Sequence, residues 1–133
     1  KFEDKEDAVL ASWVNQCSFD PPEVTVSLGQ MRNARLLIES SQAFIVNILG
    51  KESSNLMKHF FKPHKGSIFE GLKTRKGVEE IRILTDAVSY LECRLVDAVA
   101  SGDHVVYFGE VVGGKILQGG EPSIHVRDNG FNY

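Results

Sequence analysis

The feature that most constrains this chain is the pair Pro21-Pro22. Each ring fixes φ and removes an N–H donor, so neither a helix interior nor a central strand can run through the pair. Ahead of it, Leu10 to Phe19 mixes Ala11, Ser12, Asn15 and Gln16 with Trp13 and Val14, which reads as a strand with a partly polar character. Behind it, Val24, Val26 and Leu28 alternate with Thr25 and Ser27, the period of a half-buried strand. The stretch Leu10 to Leu28 is therefore expected to be two strands joined at a rigid corner. An edge carrying backbone amides, one hydroxyl and an aromatic suits a flat heteroaromatic ligand. A barrel corner with no ligand accounts for the same residues.

With 133 residues the chain is expected to be one domain, which buries roughly two-thirds of its unfolded surface. A net charge of −3 and a pI near 5.8 argue against a nucleic-acid module. Cys17 and Cys93 both fall in strand-like runs and do not form a disulfide framework, which points to a reducing, intracellular compartment. No apolar run reaches the roughly 18 residues of a membrane helix. The charged start KFEDKED, without an initiator Met, is expected to follow further N-terminal sequence.

Further along, Met31, Ala34, Leu37 and Ile38 have helical spacing, which predicts a helix of about three turns within 30–41. The run AFIVNIL, Ala43 to Leu49, predicts a buried strand. Ser53 or Ser54 can cap a second helix with Leu56, Met57, Phe60 and Phe61 as its buried stripe, and Pro63 ends it. Lys62 to Gly77 reads as a long loop rich in Lys, Gly and His; the run from Lys58 to Lys76 is a local basic patch that could meet the phosphates of a pyridine dinucleotide or an acidic partner, or be a solvated loop. Strands are expected at 80–84, 89–96 and 104–112, with one more short strand between Gly113-Gly114 and Gly119-Gly120. Six or so strands with two short helices predict a small, closed or partly closed barrel.

Four pieces in this order, ASW–SFDPP (Ala11 to Pro22), FIVNIL (Phe44 to Leu49), LECRLV (Leu91 to Val96) and GDHVVYFGEVV (Gly102 to Val112), resemble the flavin reductase-like family. The wording is similar to flavoredoxins and to the C-terminal flavin reductase module of photosynthetic flavodiiron proteins. The resemblance implies a mainly β, FMN-binding split β-barrel of Greek-key type with short flanking helices. It also implies a strand ahead of ASW, so the 1–133 domain is expected to lack an N-terminal strand or to be cut from a longer protein.

The resemblance further implies site residues. Ala11, Ser12, Trp13 and Val14 match the segment that lies along the flavin edge, where backbone donors stabilise charge on the reduced ring. Ser12 is otherwise a strand hydroxyl. Asn15 and Gln16 could reach the flavin or its ribityl chain, or simply be exposed strand positions. Arg32 matches an Arg that holds the FMN phosphate, although the Thr expected two residues later is Ala34; the alternative is a solvated helix Arg. Asn47, Lys51, Ser53 and Ser54 match a strand-to-helix turn that reaches the phosphate and ribityl, while serines there also serve as helix caps. His104 matches a His at the nicotinamide side and is the expected catalytic residue; otherwise it is a turn residue after Gly102-Asp103. Arg127 and Tyr133 match a C-terminal Arg and aromatic that cover the pocket, with His125 where relatives carry Tyr.

On this resemblance the expected activity is transfer of hydride from NADH or NADPH to FMN, with electrons passed on to flavin, oxygen or a metal centre. An FMN electron-transfer module reduced by a partner protein, or a flavin-free interaction barrel, are the alternatives. The expected partners are pyridine dinucleotide, flavin, a second copy of the chain in a homodimer and a fused or docked metal-centre protein, with no nucleic acid and no membrane. The expected location is cytoplasmic, or the plastid stroma in a photosynthetic eukaryote. His59 and His64 flank Pro63 with no third ligand at metal spacing, so no metal site is expected.

Overall fold

The computed structural model describes residues 1–126. Its elements are β1 (Val14–Phe19), β2 (Pro22–Gly29), α1 (Ala34–Ser41), β3 (Ala43–Ile48), α2 (Ser54–Phe61), β4 (Thr74–Lys76), a single 3-10 turn (Val78–Glu80), β5 (Arg82–Leu84), β6 (Ser89–Ser101) and β7 (His104–Ile116). β1, β2, β7, β6 and β3 form, in that order, one antiparallel sheet, while β4 and β5 pair separately. The fold is mainly β with two short helices, in keeping with the split-barrel class.

The proline corner acts as expected. β1 ends at Phe19, the Asp20–Pro21 peptide is cis, and β2 begins at Pro22. Along β2, Val24, Val26 and Leu28 are buried while Thr25 and Ser27 face the other side. They meet Val105 and Tyr107 of β7, Cys93 of β6, Phe44 of β3, and Ala34 and Ile38 of α1 in one core. A second buried group, Ile81, Ile83, Leu84, Ala87 and Tyr90, seats the small sheet. That sheet is tied to β3 by the Leu84 N–H, which donates to Asn47 Oδ1 at 2.8 Å.

Several expectations are corrected. α1 is about two turns long, because Met31 to Asn33 form a turn in which the Arg32 N–H donates to the Gly29 carbonyl at 3.0 Å. Met31 is consequently 95% exposed and leaves the apolar stripe to Ala34 and Ile38. On α2 the stripe is narrower than expected: Phe61 is exposed and no residue of the helix is fully buried. Ser53 stands at its N-cap position, but its hydroxyl accepts from the Gly50 N–H instead of capping the helix.

The largest correction concerns β6 and β7, which run to Ser101 and Ile116 as one long hairpin. Gly113 and Gly114 lie inside β7 and do not bound a further strand. Gly114 is there for clearance, since a Cβ on it would come within 2.7 Å of the Tyr90 carbonyl oxygen, whereas one on Gly113 would reach the Glu92 carboxylate only at an ordinary 3.4 Å. The loop expected at 62–77 contains β4, and the strand expected from Glu80 is preceded by the 3-10 turn and starts at Arg82. Cys17 is exposed at the point where the β1–β2 register shifts, and so is not a core residue.

Candidate functional site

The turn that shortens α1 also organises the candidate site. Gly29, the last residue of β2, pairs with His104, the first residue of β7. The next residue locks the turn to the β6–β7 connection: the Gln30 N–H donates to the Asp103 carbonyl at 2.9 Å, and Gln30 Nε2 to the Gly102 carbonyl at 2.8 Å. The Ser27 N–H donates to the Trp13 carbonyl at 3.0 Å, which anchors the residue just before β1. Trp13 and His104 thereby form an aromatic ledge, with ring centroids 4.8 Å apart and a 45° tilt.

The tautomer of His104 follows from its partner. Asp103 Oδ1 lies 2.7 Å from His104 Nδ1, and an ionised carboxylate only accepts, so Nδ1 carries the hydrogen. Nε2 is then the ring atom that His104 presents. The hydrogen bond from His104, followed by its charge when protonated, holds the Asp103 carboxyl below the usual carboxylate range. Asp103 itself is 93% exposed, so this is a local orienting contact.

The same turn contributes to a cavity of about 390 Å³. It is lined by Met31, Arg32 and Asn33 at the start of α1, by Asp7 to Val9 of the N-terminal segment, and by Lys62 and His64 beyond α2. Its volume falls in the range of small-ligand sites. Arg32 and Lys62 form no ion pair among the described residues.

Ala11, Ser12 and Trp13 precede β1 and are exposed, Trp13 at 39%, while Val14 is half-buried. Asn15 and Gln16 are exposed on β1, with Gln16 Nε2 donating to the Ser18 carbonyl at 3.3 Å. Asn47 lies apart from the ledge, its Oδ1 occupied by Leu84 N–H. Lys51 pairs with Glu121, and Ser53 holds the Gly50 turn. Ser54 opens α2. The structure thus brings together Trp13, His104 and Arg32 around one turn, and gives Asn47, Lys51 and Ser53 bonds within the fold. Arg127 and Tyr133 lie outside the described residues. Sequence reasoning read Asp103 as closing the turn and the Lys58–Lys76 run as a solvated loop or a patch for dinucleotide phosphates; no spacing in the sequence signals that Lys62 and His64 share a cavity with Arg32.

A mainly antiparallel sheet of this order with two short helices is in keeping with a flavin reductase type of barrel. Residues 2–131 match the Flavin reductase like domain, and the chain belongs to that family. It is 37% identical to Diflavin flavoprotein A 1 of Synechocystis sp. over 130 residues, 95% of this chain and 23% of that protein. The chain thus spans less than a quarter of the length of that relative. Among solved structures it is similar to Flavin Reductase HpaC complexed with NADP+ (TM-score 0.73, 30% identity, 82% of this chain and 69% of that one). It is also similar to an FMN-binding protein from Thermus thermophilus (TM-score 0.72, 26% identity, 84% and 66%). These likenesses support an oxidoreductase of the flavoprotein class. Among the described residues no helix is long and apolar enough to cross a membrane, and no group of three or more His, Cys, Asp or Glu could hold a metal ion.

Proposed function

We propose that this chain is a single flavin reductase-like domain that binds FMN and accepts hydride from NADH or NADPH, passing electrons on to free flavin, oxygen or a metal centre. The observation that carries the reading is the Gly29–Asn33 turn: Gly29 pairs with His104 of the Trp13–His104 ledge, and Met31 to Asn33 line the cavity that holds Arg32. These residues fit a flavin nucleotide: an exposed aromatic and backbone edge for a flat ring, and a guanidinium in a cavity for a phosphate.

FMN, when bound, supplies the redox chemistry. The chain's own residues position and tune. Backbone donors around Ala11 to Val14 favour negative charge along the ring edge. His104, fixed by Asp103, orients the nicotinamide so that the two rings meet face to face, and this positioning is the main catalytic contribution of the protein. Arg32 binds the phosphate by a charge-assisted hydrogen bond. Asn15, Gln16, Arg127 and Tyr133 complete the proposed contacts of the ligand, while Asn47, Lys51 and Ser53 would serve it only by exchanging the bonds they make within the fold.

The relative that is more than four times longer favours a second reading, an FMN electron-transfer module serving a fused or docked metal centre. One experiment separates the readings: visible spectra of the purified protein loaded with FMN, before and after NADH or NADPH under nitrogen. Bleaching by dinucleotide alone supports the reductase. Bound flavin that dinucleotide cannot bleach supports the electron-transfer module, and no flavin uptake removes both. We further propose a homodimer in the cytoplasm, its ligand sites at the subunit boundary. A monomer with bound FMN in sedimentation at micromolar concentration would reject the dimer.

A further inference from the structure

We propose that Gln30 is a positioning residue of the Trp13–His104 ledge: by clamping the Gly102–Asp103 turn it fixes the carboxylate that sets the orientation and tautomer of His104. That the ledge meets a nicotinamide rests on the flavin reading; that Gln30 holds the ledge rests on the bonds around it.

β6 ends at Ser101 and β7 begins at His104, and these two residues pair, so Gly102 and Asp103 alone connect the strands. The connection has two carbonyls, and Gln30 takes both. Its N–H donates to the Asp103 carbonyl at 2.9 Å and its Nε2 to the Gly102 carbonyl at 2.8 Å. Gly102 has φ +59°, and nothing lies within 4 Å of the place of a Cβ. The glycine is there for its conformation and brings no packing that could hold the turn. Gly102 and Asp103 are exposed, and Gln30 ties their carbonyls to another element.

Gln30 is itself anchored. Arg35 Nη1 donates to the Gln30 carbonyl at 2.7 Å, while Arg35 Nε donates to the Tyr107 hydroxyl at 2.9 Å. Tyr107 is fully buried and stands on β7, the strand that His104 opens. The bonds therefore close a ring, from β7 to Arg35 on α1, to Gln30, to the turn, and back to β7 at His104. Anchored on a buried tyrosine, this ring holds an exposed turn more firmly than isolated surface bonds would.

The consequence falls on Asp103. Its carboxylate is 93% exposed and meets His104 Nδ1 at 2.7 Å. An exposed contact of this kind contributes little by itself, so it persists only while the backbone beneath it is fixed. With the contact made, Nδ1 carries the hydrogen; with it lost, a neutral imidazole returns to a mixture of its two tautomers. Gln30 thus acts on His104 through the turn.

The test uses the full chain, Gln30→Met, Gln30→Glu and, as a control, Gln118→Met. Both Gln30 variants remove the donor, and because Gln30 is exposed both are expected to fold. Gln118 also donates from its side chain to a carbonyl, that of Thr85, but beyond the opposite end of the β6–β7 hairpin. Ring tautomers are read from long-range 1H–15N spectra without flavin, at a pH where the imidazoles are neutral. The His104 signal is the one absent in His104→Ala. Wild type and Gln118→Met are expected to carry the His104 hydrogen on Nδ1, and both Gln30 variants to show a mixture with the Nε2–H form. Hydride transfer from NADH to bound FMN, followed by stopped flow, is expected to fall about tenfold in the Gln30 variants. Gln30→Met combined with His104→Ala is expected to be no slower than His104→Ala alone, since both changes act through one ring. A tautomer change in a protein whose FMN no dinucleotide reduces keeps the positioning role and rejects the flavin reading. An unchanged tautomer in the Gln30 variants, or additive losses in the double variant, overturns the proposal.

Discussion

Trp13 and His104 come from opposite parts of the chain, yet their rings stand 4.8 Å apart at 45° because β2 lies between the strands that carry them forward. Gly29 stands next to this pair. It pairs with His104, and a Cβ there would come to 3.9 Å from Nε2, an ordinary contact on the side of the imidazole that the ligand is expected to use.

The first prediction concerns that imidazole. His104→Ala is expected to leave FMN bound and the barrel folded, while the dinucleotide affinity or the hydride-transfer rate falls. Stopped-flow reduction of the FMN-loaded variant under nitrogen measures both. If stability drops and the rate per bound flavin stays at the wild-type value, His104 is a turn residue only.

A second variant addresses the cavity at the same turn. Arg32→Ala is expected to weaken FMN by about 1.5–3 kcal/mol, tenfold or more, and riboflavin hardly at all, because only FMN carries the phosphate. Titration of both ligands by flavin fluorescence decides. Equal weakening would mean that Arg32 acts through the fold.

The extent to which the site could be read beforehand differs element by element. β2 was legible because one face is buried and the other is not, so its alternation is written in Val24, Thr25, Val26, Ser27 and Leu28. The Pro-Pro corner was legible because proline chemistry is local. The end of β7 was not, since a glycine pair reads as a turn unless the neighbouring Tyr90 carbonyl is known to pass within 2.7 Å of the missing Cβ. Met31 matched the helical spacing by coincidence; the Arg32–Gly29 backbone bond pulls it out of register. The pairing of Arg32 with Lys62 and His64 in one cavity is a tertiary fact with no periodic trace. Trp13 and His104 were picked out by family resemblance, but nothing local announced that they touch.

Tyr107 offers a pH-dependent test of how α1 is fixed. Its buried hydroxyl donates to Glu39 at 2.6 Å and accepts from Arg35 Nε at 2.9 Å. The Tyr107 bond, aided by Arg35, lowers the Glu39 carboxyl below its ordinary 4.5, so this stabilisation is present above that pH and is lost as pH falls through the lowered value. Burial, then Glu39, raises the Tyr107 phenol above its ordinary 10.0; its contribution is complete below that pH and disappears as pH rises through the raised value. Tyr107→Phe is expected to cost about 1–3 kcal/mol near neutrality and to converge with the wild type at both extremes. Urea midpoints across pH measure this; a pH-independent difference would rule out the ionic part.

Gly109 makes a steric prediction. A Cβ there would lie 2.3 Å from Phe44 Cζ and 3.1 Å from Cys93 Cβ, in the centre of the core. Gly109→Ala is expected to destabilise the protein by about 1–3 kcal/mol or more, and Phe44→Leu in the same chain to recover part of the loss. Thermal melts of the two single variants and the double variant close the cycle. Strict additivity would exclude the contact.

The two thiols should part company under alkylation. Cys93 is fully buried and its thiol is pushed up to about 12 by burial and by Glu92, whereas Cys17 is exposed. Iodoacetamide is expected to label one thiol per native chain, at Cys17, and both after unfolding. Mass spectrometry of the labelled peptides reads the result; native labelling of Cys93 would contradict its burial.

Trp13 is the sole tryptophan of the chain, and it rests on a ring brought to it by pairings between distant segments, 23–29 with 104–110 and 43–48 with 89–94. Pairings of that span close slowly, because much chain must be gathered before any contact forms. The indole emission is therefore a clock for the completion of the five-stranded sheet, and a refolding trace recorded on it times the birth of the ledge itself.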